Sequence, residues 1–159
     1  MIRTEISLFL LNIPGELGKL AGLLGENQIN IDAMTIQDAS QYVTELFNAR
    51  KTSLKRIASA YSYQSVKRDS SEYALVRILV DHTDKAIDLL AKNGYLFDIL
   101  PVIAIEIENT PGKLAEIAKR IGEQDININY VYGSASSKNE TYLFVFAPED
   151  MELASTIYS

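Results

Sequence analysis

The chain has 159 residues, 47% of them hydrophobic and 23% charged, values typical of a globular protein of one or two domains. A net charge of -6, from 15 Lys and Arg against 21 Asp and Glu, removes any global attraction to nucleic acid or anionic lipid. The absence of cysteine and the single histidine exclude disulfides, thiol catalysis, thiolate metal sites and a histidine-rich metal centre.

The N-terminus leads into an aliphatic run, Ile6 to Leu11, short enough for a strand. The turn Asn12-Ile13-Pro14-Gly15 follows. Leu17, Leu20, Ala21 and Leu24 then recur at helical spacing and form one apolar face, with Gly25 near its end. Ile29-Asn30-Ile31 opens a second strand. A segment of about 30 residues, Ser40 to Ser71, separates it from the next strand, Tyr73 to Val80. Its apolar residues keep roughly helical spacing, and Arg50 to Arg68 holds six basic side chains and no acidic one. The reading is a basic face balancing an acidic body; a docking arm for an acidic partner or nucleic acid is the other reading. Thr83 to Asn93 reads as a helix, with the group Asp81-His82-Thr83-Asp84 read as capping its start rather than as a metal or acid–base site, and Tyr95 to Leu100 as a strand.

The pattern then starts again. Val102 to Ile107 reads as a strand. Asn109-Thr110-Pro111-Gly112 follows, with Thr110 a plausible helix cap. Leu114, Ile117, Ala118 and Ile121 form a helix face, and Ile126-Asn127-Ile128 opens a strand. Thr141 to Phe146 reads as a strand and Asp150 to Tyr158 as a helix. Asn12 to Met34 aligns with Asn109 to Val131 without a gap, and 10 of the 23 pairs are identical. A match through turn, helix and following strand indicates two copies of one unit. The order β-α-β-β-α-β is the ferredoxin-like arrangement. The expectation is an α+β protein of two such domains in tandem. Residues 1–100 form the first, carrying the basic insert at about 40–71. Residues 101–159 form the second, which lacks its last strand.

The strand, the Asn-x-Pro-Gly turn, the amphipathic helix and the Ile-Asn-Ile strand together resemble the ACT domain. The chain resembles stand-alone proteins with two of them. The resemblance covers about residues 3–38 and 73–159. It implies a regulatory module without catalysis, binding an amino acid or similar small metabolite at the loop between strand 1 and helix 1, near a domain interface. Carried onto this sequence, it makes Asn12, Ile13, Pro14, Gly15, Leu17 and Asn30 the candidate contacts in the first copy. Asn109, Thr110, Pro111, Gly112, Leu114 and Asn127 are their equivalents in the second. A helix N-terminus can receive a carboxylate, and an asparagine amide can serve either end of a zwitterion. The same asparagines can instead hold turns and strand ends. Where serine-binding members carry a histidine, this chain has Leu10 and Ile107, so the resemblance does not name the ligand. No cofactor is expected. A docking module without a small-molecule ligand is the alternative.

Other sites fall away. Gly18-Lys19 lacks the earlier glycine and the Ser/Thr of a phosphate loop. Tyr142, Phe144 and Phe146 alternate on one strand face, as in RNA-recognition modules. Residues 101–159, however, carry four basic and nine acidic side chains, so nucleic acid is not an expected partner. No run reaches the roughly 18 apolar residues of a membrane span, and no secretory signal is visible; the chain reads as cytoplasmic. Without its last strand, the second copy exposes Val102 to Ile107 as a sheet edge. That edge is expected to be covered by the first copy, by the insert or by a second subunit, and the protein to be a homodimer or larger, with a metabolic enzyme as a candidate partner.

Overall fold

A computed structural model describes residues 1–39, 73–135 and 141–157. The elements, in chain order, are β1 (Ile2–Leu11), α1 (Glu16–Glu26), β2 (Ile31–Asp38), β3 (Tyr73–Val80), α2 (Thr83–Lys92), β4 (Phe97–Glu108), α3 (Lys113–Gly122), β5 (Ile128–Ala135), β6 (Thr141–Pro148) and α4 (Met151–Ile157). The helical spacing and basic run read between Ser40 and Ser71 lie outside the described residues.

The strands form one antiparallel sheet in the order β2-β3-β1-β4-β6-β5. The two strands expected on either side of Pro101 are a single strand, β4. Its first half pairs with β1, from Leu8↔Phe97 to Ile2↔Ile103. Its second half pairs with β6, from Ile103↔Phe146 to Glu108↔Thr141. Pro101 is tolerated because of where its missing N–H would point. Ala104 exchanges both backbone hydrogen bonds with Met1, on the β1 side. Pro101, three residues earlier, therefore faces the opposite side, where β6 makes no pairing.

Alternation along the strands sorts the side chains. Ile6, Leu8 and Leu10 of β1 and Val76, Ile78 and Val80 of β3 pack against Leu20 and Leu24 of α1 and Ala86 and Leu90 of α2. Ile103 of β4 and Phe146 of β6 pack against Ile121 of α3 and Ala154 of α4. Phe97 joins the first of these clusters and Ile103 the second. These two share a parity on β4, so all four helices among the described residues cover one face of the sheet. The other face curls on itself. Ala33 of β2, Leu79 of β3, Val102 and Ala104 of β4 and Val145 and Ala147 of β6 form a third cluster, with Tyr130 and Tyr132 of β5 against it. The halves are thus joined side by side through β4 and also pack through their helix-free faces.

Both Pro-Gly turns deliver their helices in the same way. Gly15 has φ 96° and Gly112 φ 95°, each immediately before the helix, and neither helix has a side-chain cap. The expected cap at Thr110 is corrected: α3 starts after Gly112, and the Thr110 carbonyl accepts the Lys113 N–H at 3.3 Å. Asp81 is corrected too. It does not cap α2, which has no side-chain cap. Its carboxylate accepts the Asn30 N–H at 2.9 Å and His82 Nδ1–H at 2.8 Å, tying β2 to the corner after β3.

The open edge is covered only in part. β1 reaches Ile103, and Met1 adds its bonds to Ala104. Among the described residues, no strand lies on the β1 side of Ile105 to Glu108.

A Cβ at Gly15 or Gly112 would meet no atom within 4 Å, so the positive φ alone decides what alanine does there. Gly15→Ala and Gly112→Ala should each lower stability by about 1–2 kcal/mol in urea unfolding. An unchanged midpoint in both would show that the turns can rearrange.

Candidate functional site

The turn between β1 and α1 borders a cleft of about 480 Å³, within the usual range for small-molecule sites. The end of β1 supplies Phe9, Leu10 and Leu11, the start of β3 supplies Tyr73, and the loop before β4 supplies Tyr95 and Leu96. Glu16, the first residue of α1, also lines it. The Glu16 side chain is only 18% exposed and accepts a hydrogen bond from Lys19 Nζ. That carboxylate holds the Lys19 pKa above its ordinary value. Among the described residues the lining is apolar apart from this carboxylate and the tyrosine hydroxyls.

None of the residues expected from sequence lines the cleft, and only Asn12 to Gly15 and Leu17 belong to the turn and helix at this end. Asn12, Ile13, Pro14 and Gly15 are exposed, and Leu17 is half-buried. Asn109, Thr110, Pro111, Gly112 and Leu114 are likewise exposed on the second turn. Asn30 and Asn127 are exposed where β2 and β5 begin. Strand polarity separates turn from strand in each copy. β1 and β2 are both antiparallel to β3, so Asn12 follows one end of the sheet and Asn30 precedes the other. The same holds for Asn109 and Asn127, because β4 and β5 are both antiparallel to β6. The carbonyls of Asn30 and Asn127 share one role. They accept the N–H of Asp81 at 3.1 Å and of Glu149 at 2.8 Å. The Asn30 amide donates to Asp32 Oδ1 at 3.2 Å.

A second polar constellation lies between the halves. Glu5, on the helix-free face of β1, is 0% exposed and is the one buried charged side chain among the described residues. Its carboxylate accepts Tyr130 O–H at 2.6 Å, Tyr132 O–H at 2.7 Å and Ser7 Oγ–H at 3.1 Å. Arg77 Nε lies 3.8 Å away, and its guanidinium sits 4.0 Å over the Tyr130 ring, a cation–π contact. Tyr130 and Tyr132 stack with centroids 6.5 Å apart. Burial, and then the hydrogen bond to Glu5, push both phenol pKa values well above their ordinary value. Closed to solvent, this carboxylate holds the halves together and reaches no substrate.

Phe144 and Phe146 pack with α3 and α4, which removes the aromatic face from any base-stacking role. Among the described residues no group of His, Asp and Glu has the arrangement of a metal site. No helix among them is long and apolar enough to cross a membrane.

A family profile for an ACT domain pair matches residues 49–157. The chain belongs to that family. Solved structures agree with the fold. A protein from Bacteroides thetaiotaomicron superposes with a TM-score of 0.70 at 23% identity, over 99% of this chain and 86% of that one. The regulatory subunit of aspartate kinase from Thermus thermophilus does so at 0.55 and 14%, over 99% and 90%. An aspartokinase structure of alpha and beta subunits matches at 0.54 and 15%, over 99% and 93%. No curated protein matches the chain.

In the sequence of this ACT pair nothing marks Phe9, Leu11, Glu16 and Lys19, because they are positions at which the two copies differ. Nothing local marks Glu5 either, a carboxylate whose partners lie 125 and 127 residues away.

The two half-buried phenols set an alkaline limit. A phenol whose folded pKa is raised contributes its full stability below its unfolded pKa of about 10 and loses it as pH rises above that. In a 295 nm titration, two of the nine tyrosines should therefore ionise only as the protein unfolds. Tyr130→Phe and Tyr132→Phe should each remove one of these and lower stability at neutral pH by about 1–3 kcal/mol. A native state in which all tyrosines titrate together near pH 10 would refute the cluster.

Proposed function

We propose that the chain is a non-catalytic regulatory module that binds an amino acid at the β1–α1 end of its first half and acts on a metabolic enzyme. The observation that carries this reading is the cleft beside the Asn12–Gly15 turn. It is concave, largely apolar and of small-molecule size, and it carries a charged group at the start of a helix. Membership of the ACT domain pair family supports it, as does a fold shared with the regulatory subunit of an aspartate kinase. On this reading Asn12, Ile13, Pro14, Gly15 and Leu17 shape the mouth of the site. Asn30, Asn109, Thr110, Pro111, Gly112, Leu114 and Asn127 reach a ligand when a second copy of the chain brings them to it. No described strand lies on the β1 side of Ile105 to Glu108, which supports such a homodimer, since an unpaired edge favours association.

A thermal-shift screen against the twenty amino acids tests the reading. A ligand at about 100 times its dissociation constant adds about 2.7 kcal/mol, or about 5–10 °C for a chain of this size. At least one amino acid should produce such a shift. If none does, the chain is a docking module without a small-molecule ligand.

A further inference from the structure

The two copies share their turns but not the chemistry beside them. Counting back from Asn12 and Asn109, Phe9, Leu10 and Leu11 correspond to Glu106, Ile107 and Glu108. The sheet confirms the equivalence. Leu11 pairs with Tyr73 at the start of β3, and Glu108 pairs with Thr141 at the start of β6. Phe9 and Leu11 are 47% and 41% exposed on the helix-free face, and Glu106 and Glu108 are exposed at the same places. An apolar surface in the first copy is an acidic one in the second.

The charge pair at the head of the following helix is also reversed. Glu16 pairs with Lys19 in α1, and Lys113 pairs with Glu116 in α3. In the first copy the carboxylate is the residue turned into the cleft, with the ammonium outside it, 71% exposed. In the second copy the lysine holds the position of Glu16.

We propose that the first-copy cleft binds one amino acid with a large apolar side chain per chain, and that the second copy has no equivalent site. The side chain lies against Phe9, Leu10 and Leu11. The ligand ammonium meets Glu16 and its carboxylate meets Lys19, so both charges of the zwitterion find an opposite one at the rim. A polar side chain would leave hydrogen-bonding groups unmatched against this lining, a larger loss than a missing methylene. This inference rests on the reading of the protein as an amino-acid sensor and narrows it.

Isothermal titration of the full chain with L-leucine, L-phenylalanine, L-serine and L-aspartate tests it. Leucine or phenylalanine should bind with one site per chain, and serine and aspartate at least tenfold more weakly. Phe9→Glu with Leu11→Glu, which copies the second-copy residues, should abolish binding. Glu16→Gln, a milder change, should weaken it at least tenfold and serves if the double variant does not fold. Preferred binding of serine or aspartate, two sites per chain, or binding that survives at Phe9, Leu11 and Glu16 would overturn the inference while leaving the sensor reading intact. Failure of all twenty amino acids to bind would overturn both.

Discussion

β4 ends the first half and begins the second without a break, so its alternation of faces is carried through Pro101 unchanged. A linker would let each half choose its own orientation. A shared strand does not. Phe97 and Ile103 must point the same way, and the helices of both halves are therefore committed to one side. The helix-free faces are left in common, and they meet as the sheet curls. A one-residue slip in β4 would turn both helix-facing sets outward at once. The register is thus held by the two main cores together rather than by either alone.

The curl explains why a carboxylate can be buried on β1. An isolated charge in such a place is strongly unfavourable. Glu5 is tolerated because each of its oxygens accepts a phenol hydroxyl from β5, and Arg77 lies on the same face. These partners come from opposite halves, so the bonds form only when the halves are correctly apposed. An apolar pair of similar volume could supply as much stability, but it would accept many alignments. The polar cluster accepts few.

Much of this was legible in the sequence, and the parts that were not have physical causes. Turn, helix and second strand could be read because Pro-Gly, the Leu17–Leu24 spacing and Ile-Asn-Ile are local signals repeated 97 residues apart. The strand Tyr73–Val80 could be read from its aliphatic content. The fusion at Pro101 could not, because proline reads as a break until the side to which its absent N–H points is known. Asn12 and Asn30 stand out as chemistry-bearing residues, but their separation to opposite ends of the sheet follows from strand polarity, which residue type does not encode. The cleft was hidden because Phe9, Leu10 and Leu11 look like ordinary strand residues. Only their counterparts Glu106 and Glu108 show that these positions face outward and have diverged.

Pro101 also has a counterpart across the sheet. The β4–β6 ladder stops at Ile103↔Phe146, and continuing that register by two residues would bring Pro101 opposite Pro148. Neither residue has an N–H to give. The ladder is thus punctuated from both strands at one point and cannot zip onward along the first half of β4, although β6 runs on to Pro148. Continued zipping would flatten the corner between the halves. The paired prolines leave a seam there, and it is along this seam that the sheet can fold inward and carry Tyr130 and Tyr132 to Glu5.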